Sequence, residues 1–173
     1  MTSESQPRNA LGVVLAGIPP GAPEVERFAA RGYDVLALEL DEAAGVELNL
    51  QAVQTAMDAL VARPAAGPTA VVGYGAGGRY AYLALTRLGA DGAAAIRGTD
   101  IGRHLDEASR AKKPLSLHFS DDDERVPFAE VRAIKGALEG FATTEIYRYP
   151  VYDATAAEQA ERRVFAVLDG LGV

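Results

Sequence analysis

Six short apolar runs alternate with helix-patterned stretches along this chain, and that alternation constrains the fold more than any other feature. The runs are Leu11–Ala16, Tyr33–Leu38, Ala70–Gly73, Ala93–Ile96, Pro114–Phe119 and Glu145–Tyr149. Most are apolar throughout rather than alternating, which suits strands buried on both faces of a parallel sheet. Between them, Leu50, Val53, Met57, Leu60 and Val61 recur at helical spacing, and the pattern stops before Pro64. Pro127 opens another helical pattern through Phe128, Val131, Ile134 and Leu138, closed by Gly140. Thr155-Ala156-Ala157-Glu158 has the form of a capping box, which starts the last helix there and ends it near Gly170. Strand–helix units in series imply right-handed crossovers. The expected class is therefore α/β, an open, mostly parallel six-stranded sheet with helices on both faces. The expected division is a flexible N-terminus over residues 1–10 and a single domain over 11–173.

Composition narrows the partners. The chain has 173 residues, 17 basic and 24 acidic, for a net charge of −7. No basic cluster is long enough to track phosphates, so nucleic acid and anionic membrane surfaces are poor candidates as partners. Cysteine is absent, which removes disulfides, thiolate catalysis and Cys-ligated metals. The first ten residues, MTSESQPRNA, lack the apolar stretch of a signal peptide, and no run approaches a membrane span. The expectation is a cytoplasmic protein with no cofactor and no bound metal.

In a sheet of this kind ligands bind beyond the carboxyl ends of the strands, so the βα turns carry the chemistry. The most informative turn is Val71-Val72-Gly73-Tyr74-Gly75-Ala76-Gly77-Gly78-Arg79. It reads as strand, glycine-rich elbow and helix, the setting of G-x-S-x-G, where a sharp turn lifts a nucleophile above the sheet. The central residue here is Gly75, which has no side chain to attack with. Gly73, Gly75 and Gly78 also satisfy G-x-G-x-x-G, the dinucleotide fingerprint. That fingerprint normally opens the first βαβ unit and is answered by an acidic residue ending the next strand. Two units precede this loop, and neither Asp91 nor Asp100 is so placed. A third reading gives the glycines only a close strand–helix contact.

Read together, the turns resemble the dienelactone hydrolase family of the α/β-hydrolase superfamily. Gly73-Tyr74-Gly75-Ala76-Gly77-Gly78 is similar to the family's G-Y-C-x-G-G. Leu117-His118-Phe119-Ser120, leading into Asp123-Glu124-Arg125-Val126-Pro127, looks like the strand and turn that deliver the triad acid. Tyr149-Pro150-Val151-Tyr152-Asp153-Ala154-Thr155 matches the family's histidine turn, Y-P-x-x-H-x-F. The resemblance implies that Gly75 stands at the nucleophile position, Asp123 at the retained acid position and Asp153 at the histidine position. It also implies oxyanion donors at the Ala76 amide and near Ile18, with Tyr74 and Tyr152 toward the ligand. The family's acidic residue in the first turn is replaced by Gly17-Ile18-Pro19-Pro20.

Acyl transfer needs a nucleophile activated by a base that an acid holds in place. Two of those three members are substituted. The remaining candidates are weak. His118 lies in a strand and reads as a core histidine. His104 opens a helix with no hydroxyl beside it, and Ser120 precedes Asp121, Asp122, Asp123 and Glu124, a run that reads as a solvated turn. Tyr74, Tyr149 and Tyr152 suit either a pocket wall or ordinary packing. The expected function is a dienelactone-hydrolase-like protein without hydrolytic activity that binds a small ligand or protein partner through the remnant cleft. The alternatives are an active hydrolase of small esters or lactones using other residues, and nucleotide or anion binding on the 73–78 loop. Asp153 is expected to turn outward toward a helix N-terminus, with no metal between it and Asp123.

Overall fold

A computed structural model describes residues 9–141 and 143–172. The expected flexible segment lies almost wholly outside them, although Ala10 already belongs to the first strand. The strands are β1 Ala10–Ala16, β2 Asp34–Leu38, β3 Ala66–Tyr74, β4 Gly92–Ile96, β5 Leu115–Ser120 and β6 Thr144–Tyr149. The helices are α1 Pro23–Ala30, α2 Val46–Val61, α3 Gly77–Arg87, α4 Phe128–Leu138 and α5 Ala154–Leu171. Two 3-10 segments, Glu42–Ala44 and Ile101–Arg110, complete the order.

All six strands form one sheet in the order β2-β1-β3-β4-β5-β6, and every pairing is parallel. The chain steps from β1 outward to β2, then returns to pair β3 on the other side of β1. That reversal puts the topological switch point between the carboxyl ends of β1 and β3, where open α/β sheets bind ligands.

Side-chain alternation along the central strands splits the core in two. Val14, Val71, Ala93, Ala95, Leu115 and Leu117 point to the face covered by α2, α3 and α4. Val13, Leu15, Ala70, Val72 and Ala94 point to the face covered by α1 and α5, where Phe28 meets Phe165 edge-on at 4.9 Å. Both faces of the inner strands are thus dry, and their continuous apolar sequence follows from that.

Two details differ from the sequence reading. β3 begins at Ala66, four residues early, because Ala66 pairs Ala10 across an irregularity in register that accommodates Gly67 and Pro68. The last helix begins at Ala154. Asp153 caps it, accepting the Ala156 amide on Oδ1 at 2.9 Å, so the Thr155 capping box is displaced by two residues.

Candidate functional site

The turn after β3 is an elbow in which Gly75 has φ +56°. Its neighbours are packed beyond any tolerance for a side chain. A methyl built on Gly73 would stand 2.1 Å from the Gly77 carbonyl oxygen, and one on Gly77 would stand 2.0 Å from the Ala16 carbonyl oxygen. One on Gly78 would lie 2.4 Å from the Gly98 Cα. The N-terminus of α3 is therefore wedged between the exits of β1 and β4. Backbone hydrogen bonds fasten the elbow to the β4 exit, since the Gly75 amide donates to Ile96 at 3.1 Å and the Thr99 amide donates to Gly75 at 3.0 Å. Gly75 itself differs: a methyl there would find only the Arg125 Nη1, at 3.6 Å.

Asp123, in the turn after β5, is buried and fully engaged. Its Oδ1 accepts Arg125 Nε at 2.9 Å and the Arg125 amide at 3.1 Å, and its Oδ2 accepts Arg125 Nη2 at 2.9 Å. Arg97 Nε stands 3.5 Å from the same Oδ2. The bidentate guanidinium holds the Asp123 carboxyl below the usual carboxylate range, against the opposing pull of burial. Arg125 thus spans the elbow and the acid.

Asp153, after β6, stands at the same carboxyl edge of the sheet but is exposed and spends its carboxylate on α5. An aspartate is among the best N-caps because its oxygen satisfies an orphan amide of the first turn. Gly75 and Asp123 are therefore brought together through Arg125, while Asp153 turns to its helix. No group of three or more His, Asp or Glu side chains has metal-binding geometry among the described residues.

Above Gly75 opens a cleft of about 400 Å³, lined by Gly17, Tyr74, Gly75, Ile96, Arg97, Arg125 and Tyr152, with Glu24 and Arg27 of α1 and Glu161 of α5. Arg27 grips Glu161 through Nε at 2.8 Å and Nη2 at 2.9 Å, and lies 3.6 Å from Glu24. Arg97 stacks over the Tyr152 ring with its guanidinium carbon 5.1 Å from the centroid. Burial pushes the Tyr152 phenol up to about 12 and raises Tyr74 as well, so both hydroxyls keep their protons at neutral pH. The Tyr74 hydroxyl and Arg97 Nε are buried without a hydrogen-bond partner among the described residues.

Tyr74 and Gly17 also border a second depression of about 440 Å³, which contains Ala76 and is rimmed by Glu39, Asp41 and Glu42. Among the described residues, no turn or loop backbone hydrogen bond engages the Ile18 or Ala76 amide. The Gly78 amide, by contrast, closes the elbow by donating to Gly75 at 3.0 Å. Carboxylates on this rim oppose a phosphate at the start of α3, and Gly73, Gly77 and Gly78 meet backbone instead of open space.

The other sequence candidates lie apart. His118 is fully buried in β5, with Nε2 2.7 Å from Ser116 Oγ and Nδ1 3.0 Å from the Tyr149 hydroxyl. Tyr147 stacks on its ring at 5.1 Å, and burial pushes its pKa down to about 3. Tyr149 is buried in packing with α5. His104 does not open a regular helix. It interrupts the 3-10 segment with φ −124°, near Glu107 and outside the cleft. Ser120 is buried, and the acidic run behind it is dispersed among partners: Asp121 takes Arg148 at 2.6 Å, and Asp122 accepts the Tyr152 amide at 3.4 Å.

Sequence reasoning missed Arg125, Arg97 and the Arg27–Glu161 pair. The only available signal for Arg125 was its place two residues after Asp123, within the turn that delivers the acid.

Parallel strands wound in this order, with a strand–elbow–helix at the switch point, define an α/β-hydrolase-like protein. The chain belongs to the dienelactone hydrolase family, whose family model matches residues 34–169. Among solved structures, a Klebsiella pneumoniae protein that carries the dienelactone hydrolase name is 19% identical, with a TM-score of 0.76 over 92% of this chain and 86% of that one. An esterase of Pyrococcus furiosus is 16% identical, with a TM-score of 0.82 over 96% of this chain and 83% of that one. At such identities these likenesses bear on fold alone. No curated protein matches the chain.

Proposed function

We propose that this member of the family does not hydrolyse esters and instead binds a small ligand in the cleft above Gly75. The observation that carries the reading is Arg125, whose guanidinium lies between the elbow and Asp123. A guanidinium stays protonated and has only donors to offer, so it cannot accept the proton of an attacking hydroxyl or water. Asp123, clamped by it, has no imidazole to orient. The cleft's own hydroxyls, Tyr74 and Tyr152, are held protonated by burial. Binding is supported by a different feature: a concave site at the switch point with two buried polar atoms that lack partners among the described residues.

The test is turnover of p-nitrophenyl acetate and of a small lactone. The expected turnover is no greater than the residual, about 10³–10⁴-fold over water, that binding and oxyanion contacts alone leave. Saturable hydrolysis that survives purification and disappears on Tyr74→Phe or Arg97→Met would overturn the reading.

A further inference from the structure

We propose that the ligand of this cleft is a small zwitterion, carrying one carboxylate and one ammonium group. The inference rests on the binding reading above and names the chemistry that would fill the site. Two charged groups of opposite balance line the cleft. From the β4 and β5 exits, the guanidiniums of Arg97 and Arg125 line the cleft. The carboxylates that act on them, Asp123 with Asp122 and Glu42, lie outside that lining, so this end of the cleft presents positive charge. From α1 and α5, Glu24 and Glu161 share the single guanidinium of Arg27, which leaves negative charge in excess. A lone anion drawn to the first group meets surplus carboxylate at the second, and a lone cation meets the reverse. A molecule with both charges satisfies both, and in a partly buried cleft such interactions exceed their strength in water.

The positive group is also incompletely used. Arg125 is committed to Asp123 through three hydrogen bonds, whereas Arg97 Nε is buried with no acceptor at hydrogen-bonding geometry. A guanidinium donor can be satisfied only by an acceptor such as a carboxylate oxygen. Arg97 is moreover held at φ +52°, a left-handed conformation rare for a side-chain-bearing residue and concentrated at functional sites. Its amide donates to the His118 carbonyl at 2.8 Å, which fixes that conformation at the exit of β4. Tyr152 beneath the guanidinium and the unpartnered Tyr74 hydroxyl supply a flat wall and one further polar contact.

The experiment is an isothermal and NMR titration of the full chain at fixed ionic strength. The probes are glycine, β-alanine and γ-aminobutyrate, each beside its singly charged counterparts, the matching carboxylate and the matching amine. At least one amino acid is expected to bind about tenfold or more tightly than either counterpart, and to shift Tyr74 and Tyr152 resonances. Arg97→Met and, separately, Glu24→Gln in the first turn of α1 are each expected to erase that preference while circular dichroism stays unchanged. If carboxylates alone bind as tightly as the amino acids, the zwitterion inference falls and the small-ligand reading stands. If no amino acid gives a saturable response, the inference also falls. Ester turnover in the assay above would instead sink the non-hydrolytic reading, so the two failures are distinguishable.

Discussion

The turn after β3 and the turns after β5 and β6 stand on the same edge of the sheet, yet sequence has treated them differently. The elbow is made of backbone. Gly73, Gly77 and Gly78 leave no room for a carbon, and its hydrogen bonds run main chain to main chain. The other two turns work through side chains, and there Arg125 has taken the carboxylate of Asp123 while Asp153 has taken up a helix cap. Architecture held by packed backbone resists change because each position is jammed by several neighbours. Chemistry held by side chains is open to replacement one residue at a time.

The sharpest way to break that comparison lies within the elbow. Gly77→Ala drives a methyl into the Ala16 carbonyl and is expected to cost about 3 kcal/mol or more, at the upper end of overpacking penalties. Gly75→Ala meets only a guanidinium and carries the strain of a left-handed backbone, about 1–2 kcal/mol. Urea unfolding midpoints at constant slope measure both. Equal costs would show that the elbow is not jammed by packing in the way described.

An intermediate effect is expected at the acid. Asp123→Asn leaves Arg125 and Arg97 without their carboxylate and should cost about 2 kcal/mol at neutral pH. Because the folded-state pKa of Asp123 is depressed, its stabilisation is present above the unfolded value of about 3.9 and lost as pH falls through the folded value. His118 acts over a different window. Its folded value of about 3 lies below the unfolded value, so stability falls as pH drops from about 6.5 toward 3, by at most about 1.4 kcal/mol per unit. Unfolding free energy followed from pH 7 downward (about one unit per step) should therefore show a decline from His118 that survives in Asp123→Asn, while the steeper acid limb below about pH 4 is lost in that variant. Identical acid limbs in the two proteins would contradict the clamp.

The smallest effect is at the cap. Asp153→Ala should lower stability by about 1 kcal/mol and fray the first turn of α5, seen as faster amide exchange at Ala156. Asp153→Asn should avoid most of that loss, since either side chain offers the capping oxygen. No change in either variant would mean that Asp153 does not serve α5.

The alternation of apolar runs and helical patterns made the six strands and their order along the chain legible, because burial on both faces leaves an unmistakable composition. The elbow was legible for the same reason, as a strand ending in glycines. The orders of β1 and β3 in space follow from packing over long distance and become visible only in the sheet. Within the site, Arg125 was hidden because its role depends on a two-residue turn folding the guanidinium back onto Asp123. Arg97 was hidden because nothing local in Ile96-Arg97-Gly98 marks a left-handed residue. The turn of Asp153 toward the helix N-terminus was legible, but the cap itself was assigned to Thr155, since Thr155 and Glu158 satisfy the pattern without serving the turn.

If the protein is non-hydrolytic as proposed, the Arg125 clamp has a consequence for any path to hydrolysis. Restoring a histidine at 153 removes the cap of α5 and delivers an imidazole toward a carboxylate already bound to arginine. Restoring a thiol or hydroxyl at 75 places it beside a permanent cation that can steady a negative charge but never carry a proton away. Releasing Arg125 first leaves buried Asp123 with only Arg97, at 3.5 Å, as a counterion. Each single step is thus worse than none, and only the three together regain a relay. On the proposed non-hydrolytic reading, the clamp makes the loss self-locking, a valley in sequence space rather than a lapse of one residue.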